Sequence, residues 1–137
     1  MLTTHDIPIR VRYQETDAQG HVHHATYINY FEQGRVELLR AAGHSYRELE
    51  EQGMMLVVVE VNCRYLRPAH FDDVLTLRTS TQKVRGTRIW HHYHVLLDDE
   101  IIVDANTTVA CVNRDGRPQR LPQWLRDAPV ADEDTKS

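Results

Sequence analysis

The chain has 137 residues, 41% of them hydrophobic and 26% charged, which suits one folded domain with its own core. Its net charge of −4 lacks the basic excess that a main partnership with nucleic acid would need. No apolar run nears the ~20 residues of a membrane-spanning helix, and MLTTHDIPIRVRY lacks a signal peptide's basic-then-apolar pattern, so a cytoplasmic protein without membrane insertion is expected.

The first expected element is a half-buried strand, because Ile7, Ile9, Val11 and Tyr13 alternate with Pro8, Arg10 and Arg12. Pro8 has no N–H for a ladder, which puts it at the strand's beginning or at a sheet edge. A polar loop over residues 14–25 follows. From Tyr27 the period becomes helical: Tyr27, Tyr30, Phe31, Gly34, Leu38 and Ala41 or Ala42 form one apolar face. Thr26 is the expected N-cap and Gly43 the C-terminal stop. A glycine inside a helix costs about 1 kcal/mol against alanine, and close approach to a sheet is the expected compensation at Gly34. A shorter helix is expected over residues 46–52.

The remainder is β-rich. Residues 54–66 set Val57, Val59, Val61, Cys63 and Tyr65 on one face, with Glu60, Asn62 and Arg64 on the other. Residues 74–83 group Leu75, Leu77, Thr79 and Thr81. Residues 89–97 group Ile89, His91, Tyr93, Val95 and Leu97, and residues 101–113 group Val103, Ala105, Thr107, Val109 and Cys111. Turn signals stand at Arg67-Pro68, Arg85-Gly86, Asp98-Asp99 and Asp115-Gly116. Consecutive strands favour antiparallel meanders, so the class is α+β. After Pro118, Leu121, Trp124 and Leu125 offer a helical docking face. The expected domain spans 1–126, and the polar, acidic residues 127–137 form a flexible tail.

The loop-to-helix junction, YQETDAQGHVHHATYINYFEQGRVELLRAAG over residues 13–43, is the most informative stretch. It places Asp17, Gly20 and the histidines His21, His23 and His24 just before a helix start. Carboxylates and imidazoles act as general acids, bases or nucleophiles, and a helix start offers unpaired N–H donors to a developing oxyanion. A small acyl-transfer site is therefore the first hypothesis. Taken alone, Asp17 is also a natural turn or capping residue, since its side chain readily bonds nearby backbone N–H groups.

The residues Tyr13, Glu15-Thr16-Asp17, Gly20, Val22, His23-His24 and Tyr27, then Phe31-Glu32 and Arg35, follow the pattern aromatic, D/E-T-D-x-x-G-x-V, aromatic or His pair, x-x-Y and helix. A second segment, YLRPAHFDD over residues 65–73, is similar to Y-x-x-P-A-R-x-D-D, with His70 in place of the arginine. Over residues 7–115 the chain resembles the hotdog-fold thioesterases of the 4-hydroxybenzoyl-CoA thioesterase class, including the acyl-CoA thioesterases associated with the Tol–Pal system. The resemblance implies an antiparallel sheet wrapped around one long central helix, assembled as a homodimer or homotetramer with the active site near a subunit interface. It implies hydrolysis of an acyl-CoA to a carboxylic acid and free CoA, with no metal or redox cofactor, CoA being part of the substrate.

By motif position, the resemblance makes Asp17 the nucleophile or the general base. It makes the His24 backbone N–H the group that polarises the carbonyl. Tyr27 is either the first core aromatic of the helix or part of the acyl pocket. His23 stands with the substrate-side residues and orients the loop without a catalytic step. Lys83, Arg85 and Arg88 flank Gly86 in a hairpin turn, where they either solvate the turn or hold the phosphates of CoA. His92 and His94 share a strand face, but nothing in the sequence joins them to the loop histidines. Cys63 and Cys111 have no ligand spacing, so no metal site is expected. Two other readings stay open: hydrolysis of an acyl-carrier-protein thioester, and acyl-CoA binding without catalysis.

Overall fold

The computed structural model describes residues 3–131. Strand β1 (Thr4–Arg10) leads through one 3₁₀ turn (Tyr13–Glu15) and a polar loop into helix α1 (Thr26–Ala41) and the short α2 (Tyr46–Glu51). Four strands follow, β2 (Met55–Tyr65), β3 (Val74–Arg85), β4 (Arg88–Leu97) and β5 (Glu100–Val112), and then a single turn of helix, α3 (Gln123–Arg126). Every pairing is antiparallel and the order is β1-β3-β4-β5-β2, so β4 is central and β1 and β2 are the edges. Pro8 thus sits on an edge strand, where its missing N–H costs no ladder bond.

Helix α1 buries the stripe its period predicts, including Tyr27, Tyr30, Phe31 and Leu38, against the sheet. At Gly34 the helix comes so close to β3 that a Cβ would overlap Thr79 Oγ1 and stand 2.8 Å from Leu77 Cδ2. Contact with the sheet offsets the poor helix propensity of glycine there. One core cluster joins Tyr27, Tyr30 and Phe31 to Leu75, Leu77, Tyr93 and Val95. A second joins Leu39 and Leu49 to Ile89, Cys111 and the docked Leu121 and Leu125. A five-stranded antiparallel sheet around one long helix is the hotdog arrangement of the α+β class.

Three local expectations change. Strand β1 stops at Arg10: the Val11 N–H still reaches the Asp73 carbonyl at 2.9 Å, but the Val11 carbonyl takes the Asp72 N–H at 3.0 Å and the Arg12 N–H goes to Glu15 Oε1 at 2.8 Å. Tyr13 consequently lies in the 3₁₀ turn, 76% exposed, with its ring edge-on to Phe71. Thr26 is the first residue of α1 rather than its cap. Ala25 occupies the N-cap, and the His23 ring Nδ1 accepts the Ala25 N–H at 3.1 Å.

The third change is the face of β2. Its register against β5 shifts between Val58 and Glu60, where one extra residue bulges out. Before the bulge, Leu56 and Val58 pair with the buried Cys111 and Val109; after it, Val61 and Cys63 pair with Thr107 and Ala105. Val57 and Val59, expected on the core face, are 41% and 49% exposed. A second bulge in β3, between Thr81 and Lys83, leaves the Thr81 carbonyl to accept the Ala131 N–H at 2.8 Å. Residues 132–137 of the expected tail lie outside the described residues.

Candidate active site

The loop carrying Asp17 is pinned by backbone bonds. The Asp17 N–H donates to the His21 carbonyl, the Val22 N–H to the Ala69 carbonyl and the His23 N–H to the Glu15 carbonyl, each at 2.8 Å. Gly20 takes a φ of 80°, the left-handed turn for which glycine is suited. Glu15 also accepts the Tyr30 hydroxyl at 2.9 Å, so the first acid of the motif ties the loop to α1.

Asp17 Oδ1 accepts the Gln19 N–H at 2.9 Å and the His21 N–H at 3.2 Å. The turn role expected of an isolated aspartate is therefore real, and it also sets the charge. Burial, the largest single influence, raises the pKa of this carboxyl. The Gln19 and His21 N–H bonds, with the charges of His21 and His23, outweigh burial and hold it below its ordinary value. Asp17 is consequently a carboxylate at neutral pH, and among the described residues nothing donates to its Oδ2.

One residue before the N-cap of α1, the His24 backbone N–H has no acceptor among the described residues. The His24 carbonyl accepts the Tyr65 hydroxyl at 2.9 Å, and the His23 ring stacks on that of His24 at 4.3 Å. A free N–H at a helix start, with the helix's aligned peptide dipoles behind it, favours negative charge. Asp17 and His24 line one cleft of about 250 Å³ with His21, Tyr27, Tyr65 and Arg67. Tyr27 meets both of its expected descriptions, since it is 2% exposed in the core and also walls the cleft. Burial, reinforced by Cys63 and Asp73, pushes its phenol up to about 12, so it stays neutral.

His23 is exposed and its ring takes the Ala25 N–H at the helix start, and it is not among the residues lining the cleft. The hairpin cations are not brought to Asp17 either. The Asp17 loop docks beside the start of β3, whereas Lys83, Arg85 and Arg88 stand at its far end. A strand of 12 residues separates its ends by roughly 35 Å. Lys83 lies over the Trp90 ring at 5.0 Å, and Arg85 pairs with Arg88 across the hairpin. Sequence reasoning passed over Tyr65 and Arg67 as site residues, although both belong to the second motif segment. Arg67 brings a cation to the cleft and pairs with Glu100 at 3.0 Å. The loop histidines do not join those of β4. Among the described residues, three metal-ligating side chains converge at His92, His94 and Asp104.

Farther along α1 lies a sealed polar cluster. Arg35 is 7% exposed and donates to the Tyr93 hydroxyl at 3.0 Å, which is itself 2.6 Å from Thr107 Oγ1. Burial pushes Tyr46 up to about 12 in spite of the neighbouring Arg35 charge. Burial, followed by the same charge, lowers His91 to about 3.

The sequence profile of the thioesterase-like superfamily matches residues 11–128. The acyl-CoA thioesterase YbgC of Haemophilus influenzae is 36% identical over 123 residues, covering 88% of this chain and 90% of its own. The acyl-CoA thioester hydrolase YbgC of Escherichia coli O6:H1 is 32% identical over 120 residues, covering 86% and 90%. Among solved structures, the DHNA-CoA thioesterase of Staphylococcus aureus superposes with a TM-score of 0.86 at 26% identity, over 92% of this chain and 86% of that one. With the motif residues gathered on one cleft and the profile spanning nearly the whole domain, the chain belongs to the thioesterase-like superfamily.

Proposed function

We propose that the chain is an acyl-CoA thioesterase that hydrolyses R–CO–S–CoA to a carboxylic acid and free CoA. The observation that carries this reading is the meeting of an ionised Asp17 and an acceptor-free His24 N–H on one cleft. Asp17 acts on the carbonyl carbon directly, forming an acyl anhydride, or takes a proton from the water that attacks it. In either route the carbonyl oxygen gains charge as the tetrahedral intermediate forms. The His24 N–H and the α1 start stabilise that charge, and the C–S bond then breaks to release CoA thiolate, which takes up a proton. On the anhydride route water then cleaves the acyl–Asp17 bond, freeing the acid and restoring the carboxylate. Tyr27 and Tyr65 shape the acyl side of the cleft. Arg67 meets a phosphate of CoA, while Lys83, Arg85 and Arg88 are the candidate contacts to a CoA held by a neighbouring subunit.

A homo-oligomer formed along β2 is part of the proposal. That edge strand exposes Val57, Val58 and Val59 and ends at Tyr65 on the cleft, so a partner there would border the site. Action in the cytoplasm is also proposed, in keeping with two unbridged cysteines, Cys63 and Cys111.

Thiol release across short, medium, long and aromatic acyl-CoAs, with wild type and Asp17→Asn, tests the reaction. Selective wild-type turnover that collapses in a folded variant supports it. Equal background rates reject CoA thioesters and turn attention to carrier-protein esters or to binding alone. Rapid quenching with a labelled acyl group separates the two routes, since acyl label on the protein at early times marks the anhydride.

A further inference from the structure

The outer face of the sheet, away from α1, carries a polar constellation that the thioesterase chemistry does not use. His92 and His94 stand two residues apart on β4, so their side chains share a face. In the β4–β5 register His94 is paired with Asp104, and His92 with the adjacent same-face residue Asn106. Asp104 Oδ1 lies 2.6 Å from His92 Nε2 and 3.7 Å from His94 Nε2, and the three ligand atoms fall within 4.8 Å of one another. The two imidazole rings meet edge to face at 4.5 Å. Both histidines are nearly inaccessible, at 3% and 6% exposure.

A single buried histidine bonded to a carboxylate needs no further explanation. Here a second imidazole aims the same nitrogen at the same oxygen, between the central strand of a continuous antiparallel sheet and its neighbour. We propose that His92 Nε2, His94 Nε2 and Asp104 Oδ1 form a site for one divalent transition-metal ion, Zn²⁺ in the first instance. Two imidazole nitrogens and one carboxylate oxygen are a donor set that zinc accepts, with water completing the tetrahedron. Metal–ligand bonds of about 2.0–2.2 Å put tetrahedral donors roughly 3.4 Å apart. The His92–Asp104 contact therefore opens and the His94–Asp104 contact closes, each by less than about 1 Å. Of the three donors Asp104 alone lines a broad groove, bordered by Asn62, Arg64, Trp90 and Asn106, so an ion would enter from the Asp104 side. The site is independent of Asp17, and its ion would clasp β4 to β5 on the face opposite α1.

The full chain, untagged and stripped with EDTA that is then removed, is titrated with ZnCl₂ by calorimetry. One Zn²⁺ per chain is expected, with affinity falling at least 100-fold in the His92→Gln/His94→Gln variant and unchanged in His21→Gln/His70→Gln. Because the first variant removes two buried side chains, the wild type is also followed by NMR of its imidazole nitrogens. Shifts at His92 and His94 on adding Zn²⁺ support the site. No uptake by the wild type, uptake that survives loss of both strand histidines, or shifts confined to the loop histidines would each overturn it.

Discussion

The two polar clusters beside α1 differ in what holds them and in what they leave open. Around Asp17 the partners are backbone N–H groups, and one carboxylate oxygen and one N–H remain available to a ligand. Around Arg35 the partners are side chains, Tyr93, Tyr46 and Thr107, closed in between helix and sheet. Burial displaces titrating groups at both ends: His91 falls to about 3 and Tyr46 rises to about 12 beside Arg35, while Tyr27 rises to about 12 and Tyr65 is pushed up on the cleft. Perturbed titration alone therefore does not tell the two ends of the helix apart. His91 Nδ1 and Thr79 Oγ1 also lack partners at the Arg35 end, but they are buried. What marks the cleft is a free carboxylate oxygen and a free N–H that open onto solvent-accessible space.

The sharpest way to break this contrast is Asp17→Asn. A loss of about 10³-fold in kcat, about 4 kcal/mol of transition-state stabilisation, is expected with an unchanged melting curve. Near-full activity would remove Asp17 from the chemistry. At the sealed end the expected effect is on folding instead. Gly34→Ala drives a methyl into Thr79 and Leu77 and should cost about 3 kcal/mol in urea unfolding, and a neutral result would contradict the close approach.

His91 sharpens the contrast through pH. In the folded chain it stays neutral down to about pH 3, whereas the unfolded chain protonates near 6.5. The unfolded state therefore binds more protons between those values. The stability tied to a neutral His91 is complete above about 6.5 and drains as pH falls toward 3, by up to about 1.4 kcal/mol per unit. His91→Leu should flatten that slope in denaturation measured from pH 7 to 4.5, and parallel slopes would refute the assignment. A smaller effect is expected at Arg67: Arg67→Gln raises KM for acyl-CoA about fivefold with kcat nearly constant. Reversing Arg85 and Arg88 together should change KM less than about twofold if those cations serve only the hairpin. A larger rise would credit them to a neighbouring subunit's substrate.

Much of the architecture was legible in the sequence because it follows from periodicity. The strand-helix-strands order, the α1 stripe, the Gly34 approach and the inward faces of β3, β4 and β5 all follow from a period of 2 or 3.6. What escaped depends on a single extra residue or on a partner distant in sequence. The bulge after Val58 reverses the first half of β2, which strict alternation cannot foresee. Ala25 rather than Thr26 precedes the first turn of α1, with no side-chain cap, and its own N–H is taken by the His23 ring. The motif located Asp17 and His24, yet only the register of β4 against β5 delivers Asp104 to the two histidines. The hairpin cations clustered in sequence but lie a full strand away from the Asp17 loop.

The bulge in β2 also bears on how copies of this chain meet. An exposed edge bearing three consecutive valines is the sort of strand that recruits further strands without limit. The extra residue interrupts the even spacing of its outward donors and acceptors and strengthens its local twist, so that an incoming strand finds a matching ladder over part of the edge only. The same irregularity that hid the face of β2 from its sequence thus works against fibrous growth along this edge.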